Sequence, residues 1–218
     1  MISTRDLTAL PDTDTLRRLL QALAMLDAIL EEDWDMRYYS FNSKWAPGEQ
    51  MGSMRNGSGD DFMSLFDRSG CFLRGFDHES AMSPWSGGEP GAVWPGVLDS
   101  VPEEFAQSLD EPAFNMQDTT FCIWRRHGDT AWSRGTIAFP EGEDDPDGSA
   151  TMLSELDGNP ETYQTFAKDY YEVDVALDAI AKVYAHQPLT TALLEQFSSS
   201  RSIEQMRADA DEIGYPVG

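Results

Sequence analysis

The sequence predicts an α+β fold, with a largely antiparallel sheet of about six strands and helices packed on it. Alternation of apolar and polar residues is confined to residues 36–139, and helical periodicity occurs before and after that region. Short turns between the strand candidates favour antiparallel neighbours over parallel βαβ units. We expect one domain that consists of an N-terminal helix (1–35), the sheet (36–140) and an acidic loop with C-terminal helices (141–218).

The first predicted element is a helix over residues 13–33, which Asp12 or Thr13 can cap. Apolar residues recur at helical spacing between residues 16 and 30 and form a broad stripe. A cluster of acids that includes Asp27 lies toward the C-terminal end of the helix, where negative charge is unfavourable. We therefore expect that interactions other than local helix electrostatics account for these acids at this position.

Four short strands are predicted next, joined by tight turns into a meander. The candidates are MRYYSFNSKW from residue 36, EQMGSMRNG from residue 49, DFMSLFD from residue 61 and CFLRGF from residue 71. A later pair, TTFCIWRR from residue 119 and TAWSRGTIAF from residue 130, has the spacing of a hairpin. Together they give the sheet its expected strands.

A loop rich in glycine, proline and tryptophan interrupts the strands over residues 77–97. Connections of this length are uncommon and are usually functional or flexible. A short helix from Pro102 or Glu103 to Leu109 is expected to follow it.

The C-terminal part of the chain loses its strand character after the acidic loop EGEDDPDGS, residues 141–149. Asn159 can cap a helix that begins at Pro160. This helix either continues to about His186 or is divided in two by a kink near Val173. The other expected helices are LTTALLEQF and a last one that begins with the capping-box pair Ser202 and Gln205.

The chain is strongly acidic, with 39 Asp and Glu against 15 Lys and Arg, a net charge of −24 and a pI near 4.1. Nucleic acids and anionic membranes repel such a chain, so neither is expected as a partner. The most apolar run, Leu16 to Leu30, is too short and too charged to span a bilayer. No apolar signal core occurs near the start, and a cytoplasmic location is expected.

Two cysteines, Cys71 and Cys122, each lie in an apolar run. We expect buried thiols in strands, because a disulfide has no secretory context here. The chain has no CxxC pair, so a structural zinc site is not expected.

Negative charge is concentrated between Glu141 and Asp178, where twelve acids and one base, Lys168, leave a net charge of −11. One interpretation is solvation, since acidic surfaces keep proteins soluble. The other is an anionic face that attracts a cationic partner protein and raises its association rate. On the second interpretation, the expected partner-binding residues are Asp144, Asp145, Asp147, Trp85 and Trp94.

The acidic loop also resembles part of a calcium-binding loop, with acids at template positions 1, 3 and 5 and Gly148 at position 6. Position 12 is Ser154 rather than a glutamate, and Pro146 stiffens the loop, so an exposed acidic turn is favoured. Asp77, His78 and Glu79 could instead supply a general base or part of a metal site. A polar loop that closes the fourth strand also explains these residues and is the favoured interpretation.

Several segments resemble an uncharacterised family of bacterial cytoplasmic proteins. They are YYSFNSKW, GFDHES, WPGV with the following PEEF, TTFCIWR and DEIGYP. The resemblance extends over most of the chain and implies no activity or site residues. In its small size, acidity and lack of motifs, the chain is also similar in character to immunity proteins of bacterial toxin systems.

These observations predict a non-catalytic acidic binding protein, with an immunity-type inhibitor of a basic protein toxin as its specific form. No catalytic residue, metal site or cofactor is assigned. The alternatives are an enzyme or metal-dependent hydrolase that uses Asp77, His78 and Glu79, or a small-ligand-binding module that uses Trp85 and Trp94.

Overall fold

A computed structural model of the chain describes residues 1–88, 91–199 and 201–218. Within these ranges, six antiparallel strands lie side by side in sequence order. They are β1 (Tyr39–Ala46), β2 (Glu49–Arg55), β3 (Asp61–Phe66), β4 (Gly70–Phe76), β5 (Phe121–Arg126) and β6 (Ser133–Arg134). The predicted α+β class, with its meander and hairpin, is confirmed.

The described helices are α1 (Thr13–Leu30), α2 (Ala106–Leu109), α3 (Ser149–Met152), α4 (Pro160–Tyr170), α5 (Leu177–Tyr184), α6 (Thr191–Glu195) and α7 (Ile203–Ile213). Asp12 caps α1 by accepting a hydrogen bond from the backbone N–H of Thr15 at 2.9 Å. Ser202 and Gln205 form the predicted capping box of α7. The expected kink after α4 separates it from α5, so the alternative with two helices is correct.

Both faces of the sheet are covered. The face that carries Tyr39 and Cys71 packs against α1 and the C-terminal helices in the main core. The opposite face carries Phe72 and packs against the connection between β4 and β5, which contributes Phe105 and Phe114. Phe72 and Phe114 stack with their ring centroids 5.7 Å apart. The long connection therefore works as a second covering layer.

The boundaries of α1 and β1 differ from the prediction. β1 begins at Tyr39 rather than near residue 36, because Trp34–Met36 forms a turn of 3₁₀ helix. Asp33 caps that turn by accepting a hydrogen bond from the N–H of Asp35 at 3.0 Å, and α1 ends early at Leu30.

β6 has only two residues, although the sequence suggested a longer strand. The reason is a close backbone approach at Gly135, where a Cβ atom would lie 1.8 Å from the carbonyl oxygen of Gly96. Beyond this point the chain follows the connection between β4 and β5 instead of β5. Residues 89 and 90 of the predicted 77–97 loop lie outside the described residues.

None of the helices within the described ranges combines the length and apolar character that a membrane span requires. The cysteine prediction is confirmed as far as burial goes, since Cys71 and Cys122 are free and fully buried. They belong to the cores on opposite faces of the sheet.

Candidate binding surface

The three predicted acids of the 141–149 loop have very different surroundings. Asp144 is exposed, and Asp145 is partly buried. The Asp145 carboxylate accepts hydrogen bonds from the N–H groups of Ala150 and Thr151, both at 2.9 Å, at the start of α3. The Asp144 carboxylate is therefore accessible to a partner, whereas the Asp145 carboxylate already accepts hydrogen bonds from its own loop.

Asp147 is only 1% exposed, so the expectation of an exposed acid is wrong at this position. Its carboxylate accepts hydrogen bonds from the hydroxyl of Thr4 and from the hydroxyl of Ser149, the latter at 2.7 Å. The N–H of Ser149 donates a further bond at 3.1 Å. Asp147 therefore attaches the N-terminal segment to the acidic loop and does not face a partner.

The predicted tryptophans are also unequal. Trp85 is 44% exposed, and its indole N–H donates to the carboxylate of Asp118 at 2.9 Å. Trp94 is half-buried against the second core, and its indole N–H donates to the carbonyl oxygen of Ala138 at 3.0 Å. Trp85 alone of the two presents a large free surface.

The tryptophan-containing loop and the acidic loop do lie together, as a common binding surface requires. The N–H of Met82 donates to the carbonyl oxygen of Pro146 at 3.0 Å. Gly148 is close enough to Asp77 that a Cβ atom would lie 2.4 Å from its carboxylate. Both loops therefore lie at the end of the sheet where β4 finishes.

His78 pairs with a residue that the sequence did not single out. Its Nδ1 lies 2.6 Å from an oxygen of Asp60, and its backbone N–H donates to the same oxygen at 2.9 Å. This hydrogen bond to the carboxylate raises the pKa of His78 above its ordinary value. Although burial opposes it, the bonds from His78 lower the pKa of Asp60. The arrangement is that of an ion pair in a surface turn.

Asp60, Asp77 and His78 also have a geometry that could hold a cation. One ligand atom from each lies within 4.8 Å of the others. Burial, followed by the charges of neighbouring acids, raises the pKa of Asp77 despite its backbone hydrogen bonds. In the present arrangement, however, the imidazole Nδ1 is already engaged by Asp60, so Nε2 is the nitrogen left for a metal.

A second exposed cluster was not anticipated from the sequence. Trp34 is 46% exposed, Met36 is 60% exposed and Tyr170 is 39% exposed. Tyr38 joins them, with its ring centroid 5.0 Å from that of Tyr170. Trp34, Met36 and Tyr38 lie close together along the chain, and we call these three residues and Tyr170 the acid-rimmed patch.

Acids flank every part of this patch along the chain. The exposed ones are Glu32, Asp33, Asp35, Asp169 and Glu172. Within the described part of the chain, none of these five has a basic side chain within 4.0 Å. Their charge is therefore not neutralised internally.

Arg55, at the end of β2, holds the patch in place. Its guanidinium carbon lies 3.9 Å from the centroid of the Trp34 ring, and it donates to the carbonyl oxygen of Trp34 at 3.1 Å. Its backbone N–H donates to the carbonyl oxygen of Tyr38 at 2.8 Å. The indole is thus fixed by a cation–π contact and a backbone bond before any partner arrives.

An acidic groove of about 480 Å³ lies beside the patch. Phe166 lines it and stacks on Tyr170, with ring centroids 5.3 Å apart. Glu155, Glu161 and Asp169 supply the negative charge of its lining. The groove, like the patch, therefore combines aromatic side chains with carboxylates.

Comparison of the chain with protein-family models, curated protein sequences and solved structures finds no match. The family resemblance therefore remains a prediction.

Proposed function

We propose that this protein is a non-catalytic binding protein whose acid-rimmed patch takes a basic protein partner. The observation that carries the proposal is the exposed cluster of Trp34, Met36 and Tyr170 among unpaired acids. Tryptophan, tyrosine and methionine are enriched at the centres of protein interfaces, whereas charged residues belong to their rims. The composition of the patch matches that division.

The apolar part of the patch would supply the binding energy. Covering the exposed half of Trp34 removes roughly 100 Å² of apolar surface from water, which corresponds to about 2.5 kcal/mol. Because Arg55 already restrains the indole, little of this is lost in ordering the side chain. Met36 can adapt its unbranched side chain to the partner.

The rim selects the charge of the partner. Unpaired carboxylates around an apolar centre attract a cationic surface and repel an anionic one, which mainly raises the association rate. An inhibitor of a basic protein toxin, of the immunity type, is the specific form that we propose. Asp144 and Trp85 remain candidates for a second contact region on such a partner.

The test begins with partner capture from the source cell by the intact protein and by two matched variants. Trp34→Ala removes the centre of the patch, whereas Trp45→Ala removes a tryptophan of similar exposure near the other end of β1. A third variant, Trp85→Ala, reports on the loop surface. We expect a basic protein to be retained by the parent and by Trp45→Ala, and to dissociate at least about tenfold faster from Trp34→Ala.

Rim charges are tested separately with Asp35→Asn combined with Asp169→Asn. This double variant should bind its partner more slowly, and the difference from the parent should shrink as salt rises. Glu103→Gln combined with Glu104→Gln is the control with the same loss of charge. A neutral or acidic partner, or equal kinetics for Trp34→Ala and Trp45→Ala, would contradict the proposal.

A metal-dependent activity is the second candidate, because Asp60, Asp77 and His78 approach one another closely. Its test is thermal unfolding with calcium, magnesium and zinc for the parent and for His78→Gln. Stabilisation of the parent alone by one of these cations would favour this candidate.

A further inference from the structure

A groove of about 620 Å³ lies at the end of the sheet where β1 turns into β2, and no carboxylate contributes to its lining. The charged residues that line it are Arg17, Arg18 and Lys44. Asp and Glu outnumber Lys and Arg by 39 to 15 in the chain, so a wholly acid-free lining is a marked local reversal of charge. We call it the acid-free groove.

The two arginines keep their charge available. Within the described residues, neither Arg17 nor Arg18 has a carboxylate within 4.0 Å, whereas six pairs of that kind join other arginines to Asp or Glu. Arg17 makes only a long bond of 3.4 Å to the side chain of Gln21. Lys44, in contrast, is paired with Asp211 at 2.7 Å. The arginines are therefore the groups that an anion would meet.

The negative end of α7 would ordinarily oppose an anion here, because Gly214 ends that helix in the groove lining. Two of its last carbonyl oxygens are already satisfied. Gln21 donates to that of Ile213 at 2.9 Å, and Ser43 donates to that of Glu212 at 2.8 Å. These bonds reduce the repulsion that the helix end would exert.

Gln50 provides an independent sign of a missing partner. It lines both the acid-free groove and an adjoining cavity of about 270 Å³, whose own lining includes Asp14, Glu49 and Asp67. Its side-chain oxygen is buried and has no hydrogen-bond partner. Because the two ends of an amide exchange by a half rotation, the same position can present an NH₂ donor. As placed, the oxygen is an acceptor that lacks a donor, and only after that rotation would the amide donate to an anion.

We propose that the acid-free groove binds a small oxyanion, a phosphate or carboxylate group, through Arg17 and Arg18 with the Gln50 amide as a neutral donor. Guanidinium groups bind both kinds of anion through paired N–H···O bonds. This inference does not depend on the proposed function, because the groove and the acid-rimmed patch lie at opposite ends of β1.

His186 offers a reporter inside the groove. Its Nε2 lies 2.8 Å from the carbonyl oxygen of Arg18. Burial first, and then the charges of Arg18 and Arg17, lower the pKa of His186 below its ordinary value. An anion bound to the arginines neutralises that charge, so the pKa of His186 should rise when the groove is filled.

The experiment titrates the whole protein with inorganic phosphate, and separately with succinate, in chloride buffers of matched ionic strength. NMR signals of the His186 ring are followed at each addition. We expect a saturable shift with a dissociation constant of about 1 mM or tighter for at least one of the two anions. The anion that binds more tightly identifies whether the site favours tetrahedral or planar oxygens.

Arg17→Gln combined with Arg18→Gln should weaken this binding by about tenfold or more. The single variant Arg18→Gln changes an exposed side chain and guards against a folding defect in the double variant. Arg207→Gln, on the first half of α7, is the control that matches the single variant Arg18→Gln in loss of charge. Absence of a saturable His186 shift with both anions, or equal weakening by Arg207→Gln and Arg18→Gln, would overturn the proposal.

Discussion

The hydroxyl of Tyr163 donates a hydrogen bond to the carboxylate of Asp27 at 2.7 Å in the main core. The backbone N–H of Tyr39 donates to the other oxygen of Asp27 at 2.6 Å. Asp27 has no exposed surface, and burial raises its pKa to about 7. An acid of α1 is thus held by neutral donors from β1 and α4, which join three elements of the fold.

Asp27→Asn should flatten the pH dependence of stability. The pKa of Asp27 is about 7 in the folded protein, against 3.8 as its ordinary value. Between these values the folded state holds a proton that the unfolded state releases, so the free energy of unfolding falls as pH rises. From pH 5.5 to 8, we expect the parent to lose about 2 kcal/mol relative to the variant.

Denaturant unfolding of both proteins at several pH values measures this difference. Tyr163→Phe is an informative companion, because it removes a donor that favours the ionised carboxylate. That variant should be destabilised more at pH 8 than at pH 5.5. Parallel pH profiles for the parent and Asp27→Asn would show that the carboxyl titrates alike in both states.

Asp147→Asn should destabilise the protein, whereas Asp144→Asn should not. The Asp147 carboxylate accepts bonds from Thr4 and Ser149 in a buried site, and loss of such partners typically costs about 1–3 kcal/mol. Asp144 is exposed, and changes at such positions usually stay within about 0.5 kcal/mol. Denaturant midpoints of the two single variants test this directly, and equal midpoints would contradict it.

The fold was largely predictable because its signals are local. Alternation and tight turns specify a meander, and caps such as Asp12 and Ser202 lie within a few residues of the groups they bind. Of the acids near the end of α1, Asp27 is held by a long-range contact, the hydrogen bond from Tyr163. Arg37, from after the helix, donates to the carbonyl oxygen of Glu31 at 2.9 Å and pairs with Asp209 of α7 at 2.8 Å.

The surface was less predictable, because it depends on which face of each element the core covers. Tyr170 fits the helical periodicity of buried residues, yet it is 39% exposed. Asp147 belongs to an acidic run, yet it is buried and accepts a hydrogen bond from Thr4, which is far away in the sequence. The alternation of Asp33, Trp34, Asp35 and Met36 was the available sign of an exposed apolar turn.

Cys71 and Cys122 should react slowly with a thiol reagent in the native protein. Both are fully buried, and burial raises the pKa of each thiol, which disfavours the reactive thiolate. Since they face different cores, they should not form a disulfide with each other. We expect labelling of both thiols only under denaturing conditions. Rapid stoichiometric labelling of the native protein would contradict their placement.

Asp60→Asn should lower the pKa of His78. In the parent, the hydrogen bond to Asp60 raises this pKa, with smaller contributions from the charges of Asp60, Glu79 and Asp77. The amide cannot provide the same charge, so the imidazole should return toward its ordinary value of 6.5. NMR titration of the His78 ring signals in the two proteins measures the change.

Glu79→Gln is the matched control, because Glu79 is exposed and its carboxylate lies 3.8 Å from Nε2 of His78. Its removal should lower the pKa less than Asp60→Asn does. The upward shift of the His78 pKa also affects stability. A raised pKa favours the folded state at low pH, and that contribution disappears as pH rises through the pKa of His78. Coincident titration curves for the parent and Asp60→Asn would mean that the two groups do not form an ion pair in solution, and the three-residue cluster would then be free to ligate a cation.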